Sequence, residues 1–395
     1  MAKAFYTLTS HMPTKKIRLA ILTDTFAPWS NGGRESRFSE LLPHLAGGGM
    51  EITVYTMRWW AIQPPICEIG NGSIRLRAIC APRPLYVKGR RSLLHAIVFS
   101  LNSLRLLFEP FDVIETDSIP FFHLPVVWLV SKIRRRPLVV VWHEVWGKSY
   151  WREYLGNLGV FGHWIERRST HFGDVVVAVS NRTFQQLSDL GVDGQRLILA
   201  ENAVRHFPQV VNTDSPELLF VGRLIEHKRP DLVIGALNDL SDLQLRLCMV
   251  GSGPMRTTLE KQTMKFGLSE RVTFLGSVND EELGILIQNA KILLSPSERE
   301  GYGLVVAEAL SLGTPVVTVD ARTNAAKDLV LDGVNGRVCH AGSAACIANA
   351  VRELIERPLA RSDVIRAWES LGSPSSYEEV ADQLLLVYRR VASAN

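Results

Sequence analysis

Short apolar runs alternate with longer amphipathic segments along the chain. The first run, "IRLAILTD" at residues 17 to 24, is rich in branched side chains, and a glycine-bearing loop and a helical pattern follow it. This alternation predicts an α/β fold with parallel sheets. The helix is expected in "RESRFSELLPHLAGG", and further strands in "EITVYT", "DVIET", "PLVVVWH", "DVVVAVS" and "LILAEN".

A second series of the same kind follows the linker-like "HFPQVVNTDSP". The final segment, "SYEEVADQLLLVYRRV", has apolar residues at helical spacing and therefore predicts an amphipathic terminal helix. Strands are expected in "ELLFVGRL", "LQLRLCMVGSG", "RVTFLG", "AKILLSPS", "TPVVTVD" and "GRVCH", and helices in "RPDLVIGALNDL" and "PMRTTLEKQTMKFGL".

The length of 395 residues exceeds what one hydrophobic core usually organises. We therefore predict two Rossmann-like, doubly wound parallel-sheet domains, at residues 1–205 and 206–375, with a helix at 376–395 that packs back on the first. Open α/β sheets bind ligands at the carboxyl ends of their strands, so a site in the cleft between the two domains is expected.

Composition narrows the function classes. The apolar runs are shorter than the ~20 residues of a spanning helix, and the first sixteen residues lack the apolar region of a secretory signal. These features predict a cytoplasmic protein, at most attached to a membrane surface. Five cysteines without a CxxC pair argue against a disulfide framework or zinc knuckle.

Charge divides unevenly along the chain, with a net +9 over residues 1–205 and −5 over the remainder. This split is compatible with an anionic partner or surface, and equally with plain solvation. Nucleic acid would require a stronger basic excess, so no nucleic-acid partner is expected. The stretch "WLVSKIRRRP" raises the possibility of peripheral membrane contact, although a solvated helix end explains it as well.

Two glutamates, Glu300 and Glu308, lie in the apolar stretch "SEREGYGLVVAEALSLGTPVV". If residues 303–312 form a helix, Glu308 lies within it among apolar neighbours, where a buried carboxylate is costly without partners. The hydroxyl groups of a ribose would be suitable partners. A glutamate that simply faces solvent is the alternative. Glu300 precedes "GYG", whose backbone N–H groups could bind a phosphate or sugar.

Basic residues and glycines follow the strands of the second series. Arg223 and Lys228 in "FVGRLIEHKRPD" stand where a strand enters a helix, a placement that favours a bound diphosphate over two solvated cations. Gly251 and Gly253 in "MVGSGPM" permit close backbone approach, although many such loops are only tight turns.

The first half offers a similar but weaker set of candidates. Gly32 and Gly33 lie between a strand and a helix. His143 ends the strand "PLVVVWH", and a functional role and a structural role in the core are equally compatible with this position. Glu144, Glu115 and Asp117 are weaker candidates. The sequence contains no D-x-D, G-x-S-x-G, Walker A or H-E-x-x-H motif, so neither a metal-bridged diphosphate site nor a serine hydrolase is indicated.

Together, these motifs resemble the retaining glycosyltransferases of family 4, which have the GT-B fold of two Rossmann-like domains facing across a cleft. The similarity covers almost the whole chain. Its most specific element is the E-x7-E pair Glu300 and Glu308. "NGGRE", "VGRLIEHK", "VGSGP" and "VTFLG" occur in the family's order.

The resemblance implies metal-independent hexosyl transfer with retention of configuration, from a UDP- or GDP-sugar to a carbohydrate, lipid-linked or small-molecule acceptor. No cofactor is implied. The first domain would bind the acceptor and the second the donor. Catalytic roles would fall to His143, Arg223, Lys228 and Glu300; acceptor binding to Gly32, Gly33, His143 and Glu144; and donor binding to Gly33, Arg223, Lys228, Gly253, Phe274, Leu275, Glu300, Gly301, Tyr302, Gly303, Leu304 and Glu308.

The chain departs from the family pattern at two places. Arg229 follows Lys228 where glycine is common, and "AENAVRH" places Ala203 and Arg205 where Gly and Asp are common. The aromatic stretch "WHEVWGKSYWREYLG" is expected to shape the acceptor site. Alternatives are another GT-B enzyme, such as a sugar phosphorylase or nucleotide-sugar epimerase, and a non-catalytic carbohydrate-binding scaffold.

Overall fold

The computed structural model describes residues 16–30, 32–61, 66–69, 74–87, 90–205, 207, 216–372 and 376–394. Most of their strands fall into two sheets of eight and six strands. The predicted α/β class with parallel sheets is confirmed.

The described residues of the first half form ten strands and six helices. The strands are β1 Ile17–Leu22, β2 Met50–Met57, β3 Ile66–Ile69, β4 Ile74–Cys80, β5 Tyr86–Val87, β6 Arg90–Arg91, β7 Val113–Asp117, β8 Leu138–Trp142, β9 Val175–Ala178 and β10 Leu197–Leu199. The helices are α1 Gly33–Gly47, α2 Leu93–Asn102, α3 Leu124–Arg134, α4 Gly147–Leu155, α5 Gly159–Ser169 and α6 Asn181–Asp189, with 3₁₀ turns at Ser103–Phe108 and Gly156–Leu158.

The first sheet has the order β10-β9-β8-β7-β1-β2-β4-β3. Its neighbouring strands run parallel except β3, which pairs with β4 antiparallel. Strands β2, β4 and β3 lie on one side of β1, and strands β7 to β10 lie on the other side. The strand order therefore reverses between β1 and β7, which makes this the topological switch point of the sheet. Every residue of β7 and β8 is buried, as expected for strands covered by helices on both faces.

In the second half, the part of the chain that the structure describes forms eight strands and seven helices. The strands are β11 Leu218–Val221, β12 Leu247–Val250, β13 Val272–Gly276, β14 Ile292–Ser295, β15 Arg299–Glu300, β16 Val316–Asp320, β17 Thr323–Asn324 and β18 Gly336–His340. The helices are α7 Pro230–Asp239, α8 Arg256–Lys265, α9 Asp280–Asn289, α10 Leu304–Ser311, α11 Ala344–Glu356, α12 Arg361–Glu369 and α13 Tyr377–Ser393, with 3₁₀ turns at Glu226–Lys228 and Ala325–Leu329.

The second sheet has the order β13-β12-β11-β14-β16-β18, and all of its pairings are parallel. Its switch point lies between β11 and β14. The chain leaving β11 carries Arg223 and Lys228, and the chain leaving β14 carries Glu300. The predicted donor-side residues therefore start from two adjacent strand ends, where open sheets bind their ligands.

The terminal helix α13 belongs to the core of the first sheet. Its buried Val380, Leu384 and Tyr388 pack in the same cluster as Phe38 and Leu41 of α1. The Tyr388 hydroxyl also donates a hydrogen bond to the Glu115 carboxylate on β7. The chain thus passes through the second sheet and returns to the first.

The helix that carries Glu308 is shorter than predicted. It runs over Leu304–Ser311 rather than residues 303–312, because Gly303 has a left-handed φ of 96° and precedes the helix. Glu308 is consequently the fifth helical residue, little more than one turn from the start.

Candidate active site

Two helix N-termini face each other across the cleft between the sheets. Helix α1 begins at Gly33 and helix α10 begins at Leu304. A Cβ atom placed on Gly33 would lie 3.2 Å from Leu304 Cδ1. A larger residue at 33 would therefore crowd the second domain. Helix N-termini carry unpaired N–H groups and a partial positive charge, so this place suits an anion.

A buried network occupies the carboxyl ends of β1 and β7. Arg34, the second residue of α1, lies 2.8 Å from Asp24 Oδ1 and 3.3 Å from Asp117 Oδ2. Burial opposes the ionised carboxylates, but Arg34 together with Arg91 and His95 holds the pKa of Asp24 below the usual range, and Arg34 together with His143 does so for Asp117. The network fixes the entry of α1 and the end of β7 relative to each other.

His143 follows β8 and is oriented by this network. Its Nε2 lies 2.8 Å from Asp117 Oδ1, and the His143 side chain is 20% exposed. His143 is thus held at the cleft rather than enclosed in the core. Of the weaker candidates, Asp117 faces this site, whereas Glu115 bonds Tyr388 on the covering helix α13.

Three cations converge after β11 and β14. Burial lowers the pKa of His227, and the nearby positive charges of Arg299, Lys228 and Arg223 lower it further. Lys228 Nζ forms an ion pair with Glu300 Oε1. Lys228 and Glu300 are therefore brought together, although they are 72 residues apart.

Glu308 is fully enclosed and has a protein partner. Its Oε1 lies 2.6 Å from Arg205 Nε. Burial raises the pKa of Glu308, and Arg205 partly offsets that effect. The other oxygen, Oε2, is buried and has no hydrogen-bond partner among the described residues. The carboxylate therefore does not face solvent, which was the alternative to a ligand role.

Glu144 and Arg299 link the two domains. Arg299 Nε lies 3.2 Å from Glu144 Oε2, and its guanidinium carbon lies 3.8 Å from the ring centre of Tyr150 and 4.9 Å from that of Trp146. Burial would raise the pKa of Glu144, but Arg299 and the Trp146 indole N–H lower it below the usual value. The predicted acceptor residue Glu144 thus holds an arginine of the opposite domain.

Several glycines of the site lie in close contact with other parts of the protein, where a side chain would not fit. A Cβ on Gly253 would collide with the Leu224 backbone, and one on Gly301 with the His143 carbonyl oxygen. Gly303 combines its positive φ with close packing on Ala326. At Gly32, a Cβ would lie 2.7 Å from Glu35 Oε2. These glycines therefore allow the loops and the two domains to approach.

The remaining predicted donor residues differ in their exposure. Tyr302 is buried in the core of the second domain, whereas Leu275 is exposed on β13, the edge strand. Phe274 lies under Arg256, whose guanidinium carbon is 5.6 Å from the ring centre. The buried Tyr302 ring therefore does not face the cleft, whereas the edge strand at Leu275 is accessible.

The cleft between the domains has a volume of about 580 Å³. Arg223 and Glu144 line it, as do Arg299, Tyr150 and Trp146. Its size is within the range of small-molecule sites. The part of the chain that the structure describes contains no group of three or more His, Cys, Asp or Glu side chains placed to hold a metal ion.

Two family models match consecutive parts of the chain. Residues 31–206 match "Glycosyltransferase Family 4", and residues 203–370 match "Glycosyl transferases group 1". The chain belongs to the family 4, group 1 glycosyltransferases. The family predicted from the motifs is thereby confirmed.

The curated relatives match this chain over part of their length. The "Phosphatidyl-myo-inositol mannosyltransferase" of Mycobacterium leprae is 29% identical over 228 residues, which is 53% of this chain and 59% of the relative. The chain spans about half the length of the curated relatives it matches.

Solved structures share the fold over nearly the entire chain. A sucrose-phosphate synthase from Thermosynechococcus elongatus has a TM-score of 0.78 at 19% identity, covering 96% of this chain and 100% of that one. The Anabaena protein HepE in complex with UDP-glucose has a TM-score of 0.68 at 19% identity, covering 96% and 99%. The predicted GT-B fold of two Rossmann-like domains is confirmed.

The geometry explains both departures from the family pattern. Arg229 adopts a left-handed conformation with φ of 48°, the kind of position that favours glycine. Its guanidinium pairs with Asp231 at 2.8 Å and Glu298 at 2.6 Å, so the added charge is compensated. Arg205 supplies the ion-pair partner of the buried Glu308.

Sequence reasoning did not select Arg34, Asp24, Arg205 or Arg299 as site residues. Arg34 could have been found, because it stands at a strand-to-helix junction just as Arg223 does. Arg205 was noted only as a departure, and its partner Glu308 is 103 residues away. The contact of Arg299 with Tyr150 depends on how the two domains meet, which has no local signal.

Proposed function

We propose that this protein transfers a hexose from a UDP- or GDP-sugar to an acceptor hydroxyl, with retention of anomeric configuration and without a required metal. The observation that carries the proposal is the convergence of Arg223, Lys228 and two facing helix N-termini at the interdomain cleft. This concentration of positive potential suits a diphosphate. The similarity to HepE in complex with UDP-glucose also supports a UDP-sugar donor.

The second domain would hold the donor. Arg223 and Lys228 bind the diphosphate and stabilise its growing charge as it departs, while Glu300 and the backbone of Gly301 to Gly303 bind hydroxyls of the sugar. Lys228 is paired with Glu300 before the donor arrives, so donor binding would place a phosphate and a sugar hydroxyl on the two partners.

The ribose would bind at Glu308. Arg205 occupies Oε1, and the unpartnered Oε2 remains to accept a hydrogen bond from a ribose hydroxyl. Arg205 thus orients the carboxylate rather than replacing its ligand. The edge-strand backbone near Phe274 and Leu275 would then contact the nucleobase.

The reaction would proceed on one face of the sugar. The bond from the anomeric carbon to the diphosphate oxygen breaks, the bond to the acceptor oxygen forms, and the acceptor proton passes to the departing diphosphate. His143, positioned by Asp117, would lie beside the transferred sugar and the acceptor. Closure of the cleft through Arg299 and Glu144 would exclude water and suppress hydrolysis of the donor.

A thermal-shift screen across UDP- and GDP-sugars tests donor binding, because a ligand bound only by the folded state raises its apparent stability. A donor that gives a shift is then incubated with candidate acceptors in EDTA, and NMR reports the anomeric configuration of the product. Loss of activity in EDTA, an inverted product or a trapped glycosyl-enzyme would each overturn the corresponding part of the proposal.

The same incubations separate the competing functions. A sugar phosphorylase would require phosphate, and an epimerase would change the nucleotide sugar without any acceptor. A carbohydrate-binding scaffold would bind sugars but release no nucleotide.

The first domain would also contact a membrane surface. Of the nineteen exposed large apolar side chains in the described ranges, fourteen lie between Leu93 and Trp164, a segment with about a fifth of the described residues. Between residues 93 and 136, every Asp and Glu is buried or half-buried, whereas Arg105, Lys132 and Arg135 are exposed. Apolar side chains flanked by cations suit an anionic lipid surface. None of the described helices is both long and apolar enough to cross a bilayer.

The structure changes which variants test this contact. Arg134 donates to the Leu107 carbonyl and Arg136 lies 3.6 Å from Asp112, so replacing them would disturb the fold. Phe108→Ser and Leu101→Ser are cleaner, since these side chains are 86% and 60% exposed. In either variant, the fraction of protein that floats with phosphatidylglycerol vesicles should fall at least about tenfold. Leu386→Ser on α13 is the matched control. Unchanged flotation, or none by the unaltered protein, would refute the contact.

A further inference from the structure

An apolar pocket lies beside the cleft in the first domain. Helix α2 contributes Leu93 and Ala96, helix α5 contributes Phe161, and Phe121 and Trp151 also line it. The cavity volume is about 80 Å³, enough for a short run of methylene groups rather than a whole lipid. Neither the donor nor a sugar acceptor accounts for a chamber with this lining.

The walls of this pocket are rigid. Trp146 and Trp151 pack with ring centres 4.7 Å apart, and Phe121 meets Trp146 edge-on at 5.8 Å. Side chains locked in such an aromatic cluster do not fold inward to fill the space. The pocket is therefore a preformed apolar chamber, which favours binding of a hydrocarbon group.

The pocket is continuous with the candidate active site. Arg91, Ile119, Trp146 and Tyr154 line both the pocket and the interdomain cleft. A molecule with a polar head in the cleft could therefore extend an apolar chain directly into the pocket. Trp146 lies where the pocket meets the cleft, and its ring also contacts Arg299 of the second domain.

The outer end of the pocket is also apolar. Leu93 and Phe161 line it while remaining 61% and 59% exposed, and Phe122 is 36% exposed. Further along α5, Trp164 is exposed and lies 5.8 Å from the guanidinium carbon of Arg168. A hydrocarbon chain could thus leave the pocket into an apolar surface flanked by positive charge.

We propose that the pocket between α2 and α5 binds the hydrocarbon chain of an amphiphilic acceptor whose hydroxyl-bearing head lies in the cleft near His143. This inference rests on the proposed sugar transfer and specifies the class of its acceptor. The carbons nearest the head occupy the pocket, and the rest of the chain remains in the lipid surface. Free sugars would then be poor acceptors, because they leave the pocket empty.

The test uses hexyl, octyl and decyl β-D-glucosides below their critical micelle concentrations, with binding measured by calorimetry. The dissociation constant should fall up to about fourfold for each methylene that enters the pocket. Ala96→Trp, which fills the chamber, should abolish this dependence on chain length. Leu93→Ser, at the exposed mouth of the pocket, should weaken the binding of decyl glucoside at least threefold. Because Leu93 is exposed, this substitution should not impair folding.

Leu386→Ser is the matched control, since Leu386 is 68% exposed on the distant helix α13. Affinities independent of chain length, or a chain-length dependence that both pocket variants retain, would overturn the proposal. The thermal shift with nucleotide sugars is recorded for every variant. If it is absent while the chain-length dependence is present, the pocket stands and the proposed sugar transfer fails.

Discussion

Arg205 and Glu308 form a buried ion pair in which the guanidinium Nε lies 2.6 Å from one carboxylate oxygen. Arg205 comes from the end of the first half of the chain and Glu308 from helix α10 of the second domain. The Arg205 guanidinium carbon also lies 5.1 Å from the ring centre of Phe207. The pair therefore ties the crossover between the domains to the residue proposed to bind ribose.

Arg205→Ala should lower the free energy of unfolding by about 3 to 5 kcal/mol, because it leaves the Glu308 charge buried without its partner. Glu308→Gln should lower the free energy of unfolding by less, since the amide oxygen can still accept from Arg205, which also pairs with Asp280. The double variant should then lose less than the sum of the single losses, measured by urea unfolding. Strictly additive losses would show that the two side chains do not stabilise each other.

Glu300 and Glu308 should affect different kinetic parameters. Glu308→Ala removes the proposed ribose contact, which is equal in ground and transition states, and should raise the KM for the donor about tenfold with little change in kcat. Glu300→Ala should lower kcat about a hundredfold, because it removes a contact beside the reacting carbon and releases Lys228. Steady-state kinetics with varied donor separates the two, and equal effects on both parameters would contradict the division.

Much of the fold was predictable because its signals are local. The apolar runs around β7 and β8 are buried on both faces, so their composition alone predicts parallel strands. Strand ends then place Arg223, His143 and Gly33 near the cleft. The start of α10 was less predictable, because the left-handed conformation of Gly303 moves the helix boundary by one residue.

The interdomain contacts were not predictable in the same way. Arg299 is distinguished by its contacts with Glu144, Trp146 and Tyr150 of the opposite domain. That contact depends on the docking of two sheets, which the spacing of residues within either half does not encode. The contact between Glu308 and Arg205 was unpredictable for the same reason. A carboxylate in an apolar helix indicates that a partner is needed, but the local sequence does not identify that partner as Arg205.

The buried Glu115 on β7 should make the fold less stable as pH rises. Burial raises its pKa to about 7, even though Arg37 and the Tyr388 hydroxyl lower it. The folded protein then binds more protons than the unfolded chain between about pH 4.5 and 7. The stability contributed by protonated Glu115 is present in full below pH 4.5 and is lost as pH rises through 7, by up to about 3 kcal/mol.

Glu115→Gln should remove this pH dependence, because the amide remains neutral and can still accept from Tyr388. The variant should exceed the unaltered protein in Tm at pH 8 and match it near pH 4.5. Glu353→Gln, at a 48% exposed side chain, is the control and should leave the profile unchanged. If the Glu115→Gln and unaltered profiles are parallel, Glu115 does not titrate in this range.

The contact of Arg299 with Glu144, Trp146 and Tyr150 should hold the two domains together. Arg299→Ala removes an ion pair and two cation–π contacts, and it leaves Glu144 partly buried without its main partner. The domains should separate more often, which small-angle scattering would record as a larger radius of gyration, and donor hydrolysis should rise relative to transfer. Arg299→Lys should restore only part of the effect, because an ammonium lacks the planar guanidinium.

The matched control for this contact is Arg352→Ala. Arg352 pairs with Asp242 at 2.6 Å, but the pair is exposed and lies within the second domain, so its loss should change stability little. It should alter neither the radius of gyration nor the ratio of hydrolysis to transfer. If Arg299→Ala behaved like Arg352→Ala in both measurements, the Arg299 contact would be a local packing feature, and closure of the cleft would depend on the bound donor alone.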